Sequence, residues 1–352
     1  MTVMEITIGQ KKIGRCSAPF IIAEAGINHN GQLETALEMI RVAREAGVDC
    51  IKFQTFKAEE FVGDPEQTYT YKSRGREVTE SMLEMFKRYE LSRDEWFRIK
   101  KRCDELGIIF LSTPQNFSDL ELLLEIGIDA IKVGSDDFTN IPLLKSYAGT
   151  GLPLMVSCGM ADMAEVYQAL EVIGSLDGYP TVLMLCTSQY PTPPEDLNLL
   201  KLKTLQQAFP MVTLGFSDHS QGCLASFLAV ALGAVVFEKH FTLDRNLPGP
   251  DHWFSEDPES LKKWVDSIKM AGTMLGNSVV RPTDSEQAMK MLARRSIVAL
   301  SAIDENERIT KENIGLKRPG GGLPAGLFEK ILGLKSTRKI PQGHILRWGD
   351  FA

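Results

Sequence analysis

The sequence predicts a (β/α)8 TIM barrel followed by a small β-rich domain, and three observations carry that expectation. Eight short apolar runs alternate with amphipathic segments over residues 1–275, which is the repeating unit of a barrel built on a parallel sheet. The polar residues that follow those runs come from a narrow set of lysines, carboxylates, histidines and hydroxyls. From residue 293 onward the alternation stops and the charge reverses, with eleven Lys+Arg against six Asp+Glu on a chain whose total is −7. At 352 residues there is room for one large α/β domain and a small one.

Taken in order, the apolar runs are Phe20 to Ala23, Cys50 to Phe53, Ile108 to Leu111, Ala130 to Val133, Leu154 to Val156, Val182 to Leu185, Thr213 to Phe216 and Val235 to Phe237. Between them, Leu33 to Ala46, Arg93 to Leu106, Ser118 to Ile126, Met163 to Ile173 and Gly222 to Leu232 carry apolar side chains at helical spacing, several stopping at a glycine. Pro258 to Leu275 reads as the helix that closes the barrel domain 1–275, residues 276–292 as a polar linker, and residues 293–352 as the second domain. There Ser296 to Leu300, Lys339 to Ile340 and His344 to Arg347 read as strands, and Pro319-Gly320-Gly321-Gly322 must loop. So short a segment is expected to bury little by itself.

A hydrophobic fraction of 43% with 24% charged residues excludes collagen-like, coiled-coil and disordered chains. The acidic balance argues against a nucleic-acid-coating protein or a polybasic membrane binder. No stretch approaches the roughly 18 apolar residues of a membrane span, and the start MTVMEITIGQKKIG has no apolar signal region. Cys16, Cys50, Cys103, Cys158, Cys186 and Cys223 are scattered without a CxxC pair, so buried reduced thiols in a cytoplasmic protein are expected.

Residues just past the strands of a TIM barrel converge on one face. That rule gathers Glu24 and the run Gly26-Ile27-Asn28-His29, Lys52 and Gln54, Thr113, Lys132 with Ser135 and Asp137, Ser157, Ser188 and Tyr190, Ser217 with Asp218 and His219, and Glu238 with Lys239 and His240. Lys52 and Lys132 each sit inside an apolar run, where burying an ammonium is costly unless an anion is present. Two inward lysines among several hydroxyls describe a pocket for a small dianion, carboxylate plus phosphate. The competing expectation is that the lysines cap strand ends and reach solvent. His219 and His240 follow the neighbouring seventh and eighth strands, so two imidazoles can ligate one divalent cation and leave positions open for water and substrate. Glu238 and Asp218 are candidates to support it through water or from behind. Asp251, in Leu247-Pro248-Gly249-Pro250-Asp251-His252, is either a turn residue or an acceptor for the hydroxyls of a polyol.

Together these segments resemble the N-acetylneuraminate synthase family over nearly the whole chain. The resemblance is carried by Glu24-Ala25-Gly26-Ile27-Asn28-His29-Asn30-Gly31, Lys52-Phe53-Gln54-Thr55, Ser112-Thr113-Pro114, Lys132-Val133-Gly134-Ser135, Ser157-Cys158-Gly159-Met160, Cys186-Thr187-Ser188-Gln189-Tyr190-Pro191, Ser217-Asp218-His219, Glu238-Lys239-His240-Phe241-Thr242 and Gly249-Pro250-Asp251-His252. The tail, including Lys317-Arg318-Pro319-Gly320, resembles the antifreeze-like (SAF) domain that follows the barrel in that family.

The resemblance implies condensation of phosphoenolpyruvate with N-acetylmannosamine or a related N-acyl hexosamine to a nine-carbon acidic sugar. It implies that Lys52, Thr113, Lys132, Ser135, Ser157, Ser188 and Ser217 hold phosphoenolpyruvate, and that His219 and His240 bind Mn²⁺ or Mg²⁺. Glu24, Gln54, Asp137, Tyr190 and Asp251 would meet the sugar, and Arg318, from the partner subunit of a domain-swapped homodimer, its N-acyl group. Glu24 or Glu238 would handle the water that adds at C2. Gly134-Ser135-Asp136-Asp137 departs from the family's common Gly-Ser-Gly-Glu, Ser188 replaces a frequent Asn, and Trp253-Phe254 stands where smaller residues are usual. The alternatives are a legionaminate- or pseudaminate-type synthase acting on a 6-deoxy diacetamido sugar, and an idle carbohydrate-binding or polysaccharide-assembly protein.

Overall fold

Alternation of inward and outward side chains along eight strands builds the first of two units. The computed structural model describes residues 5–14 and 17–352, so Cys16 lies outside the described residues. The chain divides in sequence between Gly276 and Asn277. The parallel strands are β1 (Phe20–Gly26), β2 (Cys50–Thr55), β3 (Ile109–Pro114), β4 (Ile131–Val133), β5 (Leu154–Ser157), β6 (Thr181–Cys186), β7 (Thr213–Ser217) and β8 (Val236–His240). Their hydrogen-bonded order is β3-β2-β1-β8-β7-β6-β5-β4, and β3 packs beside β4, closing the barrel. Each strand is followed by its helix: α1 (Leu33–Ala46), α2 (Arg93–Leu106), α3 (Phe117–Ile126), α4 (Ile141–Gly149), α5 (Met163–Ile173), α6 (Lys201–Ala208), α7 (Leu224–Ala231) and α8 (Pro258–Leu275).

Period-two alternation sorts each strand into two faces. Outward residues such as Ile21, Ile51, Phe53, Phe110, Ile131, Val156, Leu183, Phe216 and Phe237 pack under the helices in one continuous core. Inward residues at the lower strand ends, among them Phe20, Ile22, Cys50, Leu111, Met155, Val182, Met184 and Val236, fill the barrel as a second apolar cluster. The antiparallel pair Ile6–Ile8 and Lys11–Ile13 adds Ile6, Ile8 and Ile13 to that cluster. Two residues further along each strand the inward positions turn polar, and the reactive-looking side chains begin there.

The helices start and stop where local chemistry dictates. A capping box joins Ser92 to Glu95 at the head of α2, and Gly107 in the left-handed conformation ends it. Asp162 with Glu165 and then Gly174 do the same for α5. Asp257 caps α8, whose first residue Pro258 has no N–H to satisfy.

Two features depart from expectation. Between β2 and α2 the chain forms a β-hairpin, Thr68–Ser73 paired with Arg76–Ser81, followed by a helix over Met82–Tyr89. Its two-residue turn is Arg74-Gly75, both at positive φ, the geometry that matches strand twist. Gly249 N donates to Ser73 Oγ at 3.1 Å and Arg74 Nε to Asn246 O at 3.1 Å, tying the hairpin to the loop after β8. Second, residues 276–292 are not a plain linker, because Thr283 and Glu286 form a capping box that nucleates a helix over Asp284–Ala293.

The second unit pairs Ser296–Ala299 with Ile314–Lys317 and adds bridges Val298↔Ile345 and Ile303↔Ile340. Contrary to the expectation from its length, it buries a core of its own that includes Ile297, Ile303, Ile309, Ile314, Leu323, Ile331, Ile340 and Leu346. Short irregular strands suffice because β-branched side chains cluster from both ends of the segment. Among the described residues no helix is long and apolar enough to cross a membrane.

Gly31, at φ +67°, follows β1, and a Cβ there would collide with the carbonyl oxygen of Arg88 on the helix after the hairpin. Gly31→Ala is expected to destabilise the barrel unit by on the order of 2 kcal/mol, read as a lower midpoint of thermal unfolding than wild type.

Candidate active site

The upper inward layer places one polar side chain from almost every strand into a single cavity of about 800 Å³. Glu24, Lys52, Gln54, Thr113, Lys132, Ser135, Ser157, Ser188, Tyr190, Ser217, His219, Glu238, His240 and Asp251 all line it. Parity explains the convergence, since each strand residue in this set other than Ser217 lies an even number of positions from an inward apolar residue of the layer below.

The floor is a buried alternation of charge. Lys52 Nζ lies 2.9 Å from Glu24 Oε2 and 3.8 Å from Glu238 Oε2, and it donates to Thr113 Oγ1 at 3.3 Å. Gln54 Nε2 donates to the other Glu24 oxygen at 3.0 Å. Lys132 Nζ donates to Ser157 Oγ at 2.7 Å and to Val133 O at 2.8 Å, with Glu238 Oε1 at 3.9 Å. Ser217 Oγ donates to that Glu238 oxygen at 3.0 Å, while Glu238 Oε2 has no hydrogen-bond partner. The lysines therefore do not snorkel, and they do not form a purely cationic pocket either, because two carboxylates share the floor.

Burial and pairing shift these groups in different directions. Burial raises Glu24, with Lys52 opposing it. Burial would also raise Glu238, but Lys132 and Lys52 outweigh it and hold that carboxyl below its ordinary value. For Lys52 burial favours the neutral amine, yet Glu238 and Glu24 prevail and keep it protonated. Lys132 has no carboxylate in direct contact, so burial wins and its pKa falls.

Above the floor, Gly159 N donates to Ser135 Oγ at 3.0 Å. A Cβ on Gly159 would stand 2.6 Å from Ser188 Oγ and 2.7 Å from Ser135 Oγ, so the three residues crowd into a cradle that only glycine permits. Hydroxyls beside a buried ammonium suit the oxygens of an anion.

On the opposite wall the rings of His219 and His240 have centroids 5.4 Å apart, and Tyr190 lies tilted against His219 at 4.1 Å. His219 Nδ1 donates to Thr187 O at 2.8 Å, which turns Nε2 toward Ser217 Oγ at 3.5 Å; burial disfavours the charged ring, but Cys186 outweighs it and raises this pKa. His240 Nδ1 is buried with no hydrogen-bond partner, and burial pushes this imidazole well below its ordinary pKa, as a neutral ligand requires. An oriented imidazole beside an orphaned one fits two-histidine ligation of a divalent cation with positions left open. Among the described residues no group of three or more His, Cys, Asp or Glu side chains is arranged to hold a metal by itself. Asp251 Oδ2 lies 4.0 Å from His240 Nδ1, and burial together with Glu24 raises its pKa to about 7.

Some expected members stand elsewhere. Asp137 turns away to accept from Asn140 Nδ2 at 2.9 Å, and its neighbour Asp136 lines the cavity instead. Asp218 and Lys239 alternate outward between the cavity residues and form a buried pair at 3.1 Å behind them. Asp218 accepts from Ser220 N, Ser220 Oγ and Ser226 Oγ, so it braces β7 and β8 and does not face a cation. His29 packs on Phe53 and Trp96, His252 bonds to Thr242 and Asn30, and burial pushes each to about 4. Arg318 lies exposed in the second unit, next to the strand Ile314–Lys317.

Other lining residues went unanticipated. Cys186 faces the cavity with Sγ 3.7 Å from His219 Nδ1, a place its strand parity with Met184 could have revealed. The hairpin contributes Tyr69, Tyr71 and Lys72, and its helix Met82 and Phe86. Alternation around Arg74-Gly75 was the signal for it.

The model of the NeuB family matches residues 39–280, and that of the SAF domain residues 294–352. The N,N'-diacetyllegionaminic acid synthase of Legionella pneumophila is 39% identical over 97% of this chain and 96% of its own. The human N-acetylneuraminate-9-phosphate synthase is 35% identical, covering 89% and 87%. The crystal structure of N-acetylneuraminic acid synthetase from Leptospira borgpetersenii, in complex with citrate, matches at 36% identity with a TM-score of 0.73, over 82% of this chain and 95% of that one.

Lys239→Met removes one partner of the buried pair and is expected to cost about 3–5 kcal/mol. In denaturant titrations, adding Asp218→Asn should restore much of that loss; an additive double variant would show that the two side chains are not coupled.

Proposed function

We propose that this chain, which belongs to the NeuB family of sialic acid-type synthases, condenses phosphoenolpyruvate with N-acetylmannosamine or a related N-acyl hexosamine and water, releasing phosphate and a nine-carbon acidic sugar. The observation that supports this most is Lys132. Its ammonium is buried against the neutral oxygens of Ser157 and Val133, with Glu238 no nearer than 3.9 Å, so most of its charge is left for a ligand anion.

In this reading Lys132, Ser157, Ser135, Ser188 and the Gly159 cradle, with Lys52, Thr113 and Ser217, hold the phosphate and carboxylate of phosphoenolpyruvate. The enol carbon is thereby aimed at the aldehyde of the open-chain sugar. The double-bond pair forms the new C–C bond, the aldehyde oxygen takes a proton from Glu24, and C2 takes on oxocarbenium character that ionised Glu238 offsets. Water adds at C2 and passes a proton to Glu24, whose raised pKa suits a transient proton carrier. Breakage of the C2–O bond, with the C2 hydroxyl proton passing to the departing oxygen, then frees phosphate and leaves the keto acid. His219 and His240 would hold Mn²⁺ or Mg²⁺, which when bound supplies Lewis acidity toward the aldehyde. Gln54, Tyr190, Asp251 and Asp136 take the sugar hydroxyls, and we place Arg318 at the N-acyl group of a sugar in the neighbouring subunit of a domain-swapped dimer.

Phosphate release from phosphoenolpyruvate, N-acetylmannosamine and Mn²⁺ tests the reading. Lys132→Met is expected to lower kcat/KM for phosphoenolpyruvate about 100-fold or more. His219→Ala and His240→Ala should abolish turnover together with metal dependence, and undiminished activity in a chelator would remove the metal from the scheme.

The lowered pKa of Lys132 sets a pH dependence. The anion needs the protonated amine, so affinity is full below the Lys132 pKa and is lost as pH rises through it, at a pH below the ordinary lysine value of 10.5. Calorimetric titration with phosphoenolpyruvate across the alkaline range should show that loss with proton uptake, and Lys132→Arg should move it upward.

A further inference from the structure

We propose that Lys239, which does not line the cavity, is a positioning residue: its buried ammonium sets the spacing and aim of His219 and His240 and so holds that pair ready for a divalent cation. The proposal rests on the two-histidine part of the condensation reading and adds the group that keeps those rings in place.

Only 3% of Lys239 is exposed, and a charge so dry is costly unless it is well partnered. Its neighbours Glu238 and His240 both face the cavity, so the side chain between them points the other way. There Nζ donates to Ser220 O at 2.5 Å and lies 3.1 Å from Asp218 Oδ2 and 3.9 Å from Glu256 Oε1. Asp218 and Ser220 are the residues on either side of His219. Lys239 itself precedes His240, and Glu256 N donates to the His240 carbonyl at 2.8 Å. One ammonium therefore grips the chain around both rings.

Holding the strands together does not require this arrangement. Asp218 N already joins β7 to β8 by donating to Glu238 O at 2.8 Å, and a buried ion pair adds little net stability over apolar side chains of the same shape. The charge adds direction instead, because its partners are themselves fixed. Asp218 accepts from Ser220 N at 2.9 Å, Ser220 Oγ at 2.6 Å and Ser226 Oγ at 2.6 Å. Glu256 accepts from Gly222 N at 3.3 Å and from Arg245 at 2.8 Å. Lys239 is suspended between two anchored carboxylates, and a shift of its backbone would part it from one of them.

The rings depend on that anchorage. A metal-binding imidazole is usually aimed by a hydrogen bond on its other nitrogen. His219 has one, to Thr187 O, whereas Nδ1 of His240 has none. The aim of His240 is thus left to its main chain, which Lys239 and Glu256 hold from either side.

The test titrates the full chain, without substrates, with Mn²⁺ and follows the free ion by electron paramagnetic resonance. Lys239→Met and the charge-balanced pair Lys239→Met/Asp218→Asn are each expected to weaken binding about tenfold or more. Ser226→Ala strips a hydrogen bond from Asp218 but leaves Lys239 in place, so it should lose stability and still bind Mn²⁺ within about twofold of wild type. A double variant that binds as wild type does overturns the proposal. So does an equal loss in Ser226→Ala, because affinity would then follow stability alone. The dissociation constant belongs to the folded molecules, so a partly unfolded sample does not imitate the effect. If wild type binds no Mn²⁺ that His219→Ala removes, the two-histidine reading has failed, and crystal structures of wild type and the double variant decide the positioning role: rings of His219 and His240 displaced by more than about 0.5 Å sustain it, and rings left in place overturn it.

Discussion

The structure depends on keeping four charges, Glu24, Lys52, Lys132 and Glu238, dry within one layer of a barrel. Each alone would cost several kcal/mol to bury, and the set is tolerable only if every member has an opposite charge or a hydroxyl in reach. Parallel strands meet that condition, because neighbouring strands present inward side chains at matched heights. Glu24 pairs in register with Lys52 on β2, and His240 with Glu24 on β1. The apolar layer beneath and the helices outside seal the charges from bulk water, so core packing and site electrostatics are one problem.

Compensation across the four is uneven, and that unevenness is chemically useful. Lys52 is fixed by Glu24 in direct contact, while Lys132 leans on neutral oxygens and a distant Glu238. The charge of the first lysine is largely matched and that of the second is not. A site of four perfectly paired charges would have little to offer an anion; one under-paired ammonium beside a glycine-permitted hydroxyl cradle does.

Much of the barrel was legible because its physics is local. Capping chemistry and 3.6-residue periodicity put the boundaries of α1, α2, α5 and α8 where the sequence places them, at Leu33–Ala46, Arg93–Leu106, Met163–Ile173 and Pro258–Leu275. Strand parity and the barrel rule likewise brought most site residues to one cavity. The errors arise where a side chain's direction depends on turn geometry or distant partners. Asp136 and Asp137 differ by one position on a turn, and nothing local says which faces inward. The pairing of Lys52 with Glu24 required knowing which strands adjoin around the ring. The hairpin was missed for another reason: its strands are polar and largely exposed, so they carry no core signal.

That last omission locates where the fold keeps its freedom. Floor residues sit on strands whose register, twist and packing are mutually fixed, so an inward lysine cannot move without disturbing two neighbours. Residues at the mouth sit on the hairpin and on the loop after β8, which two hydrogen bonds join, and Phe254 on that loop also packs on Tyr190 and His240. Substitution there reshapes the mouth without reopening the charge balance below. The buried charges and the aromatic mouth are thus different kinds of structure, one fixed by sheet register and the other held by a hairpin and a loop.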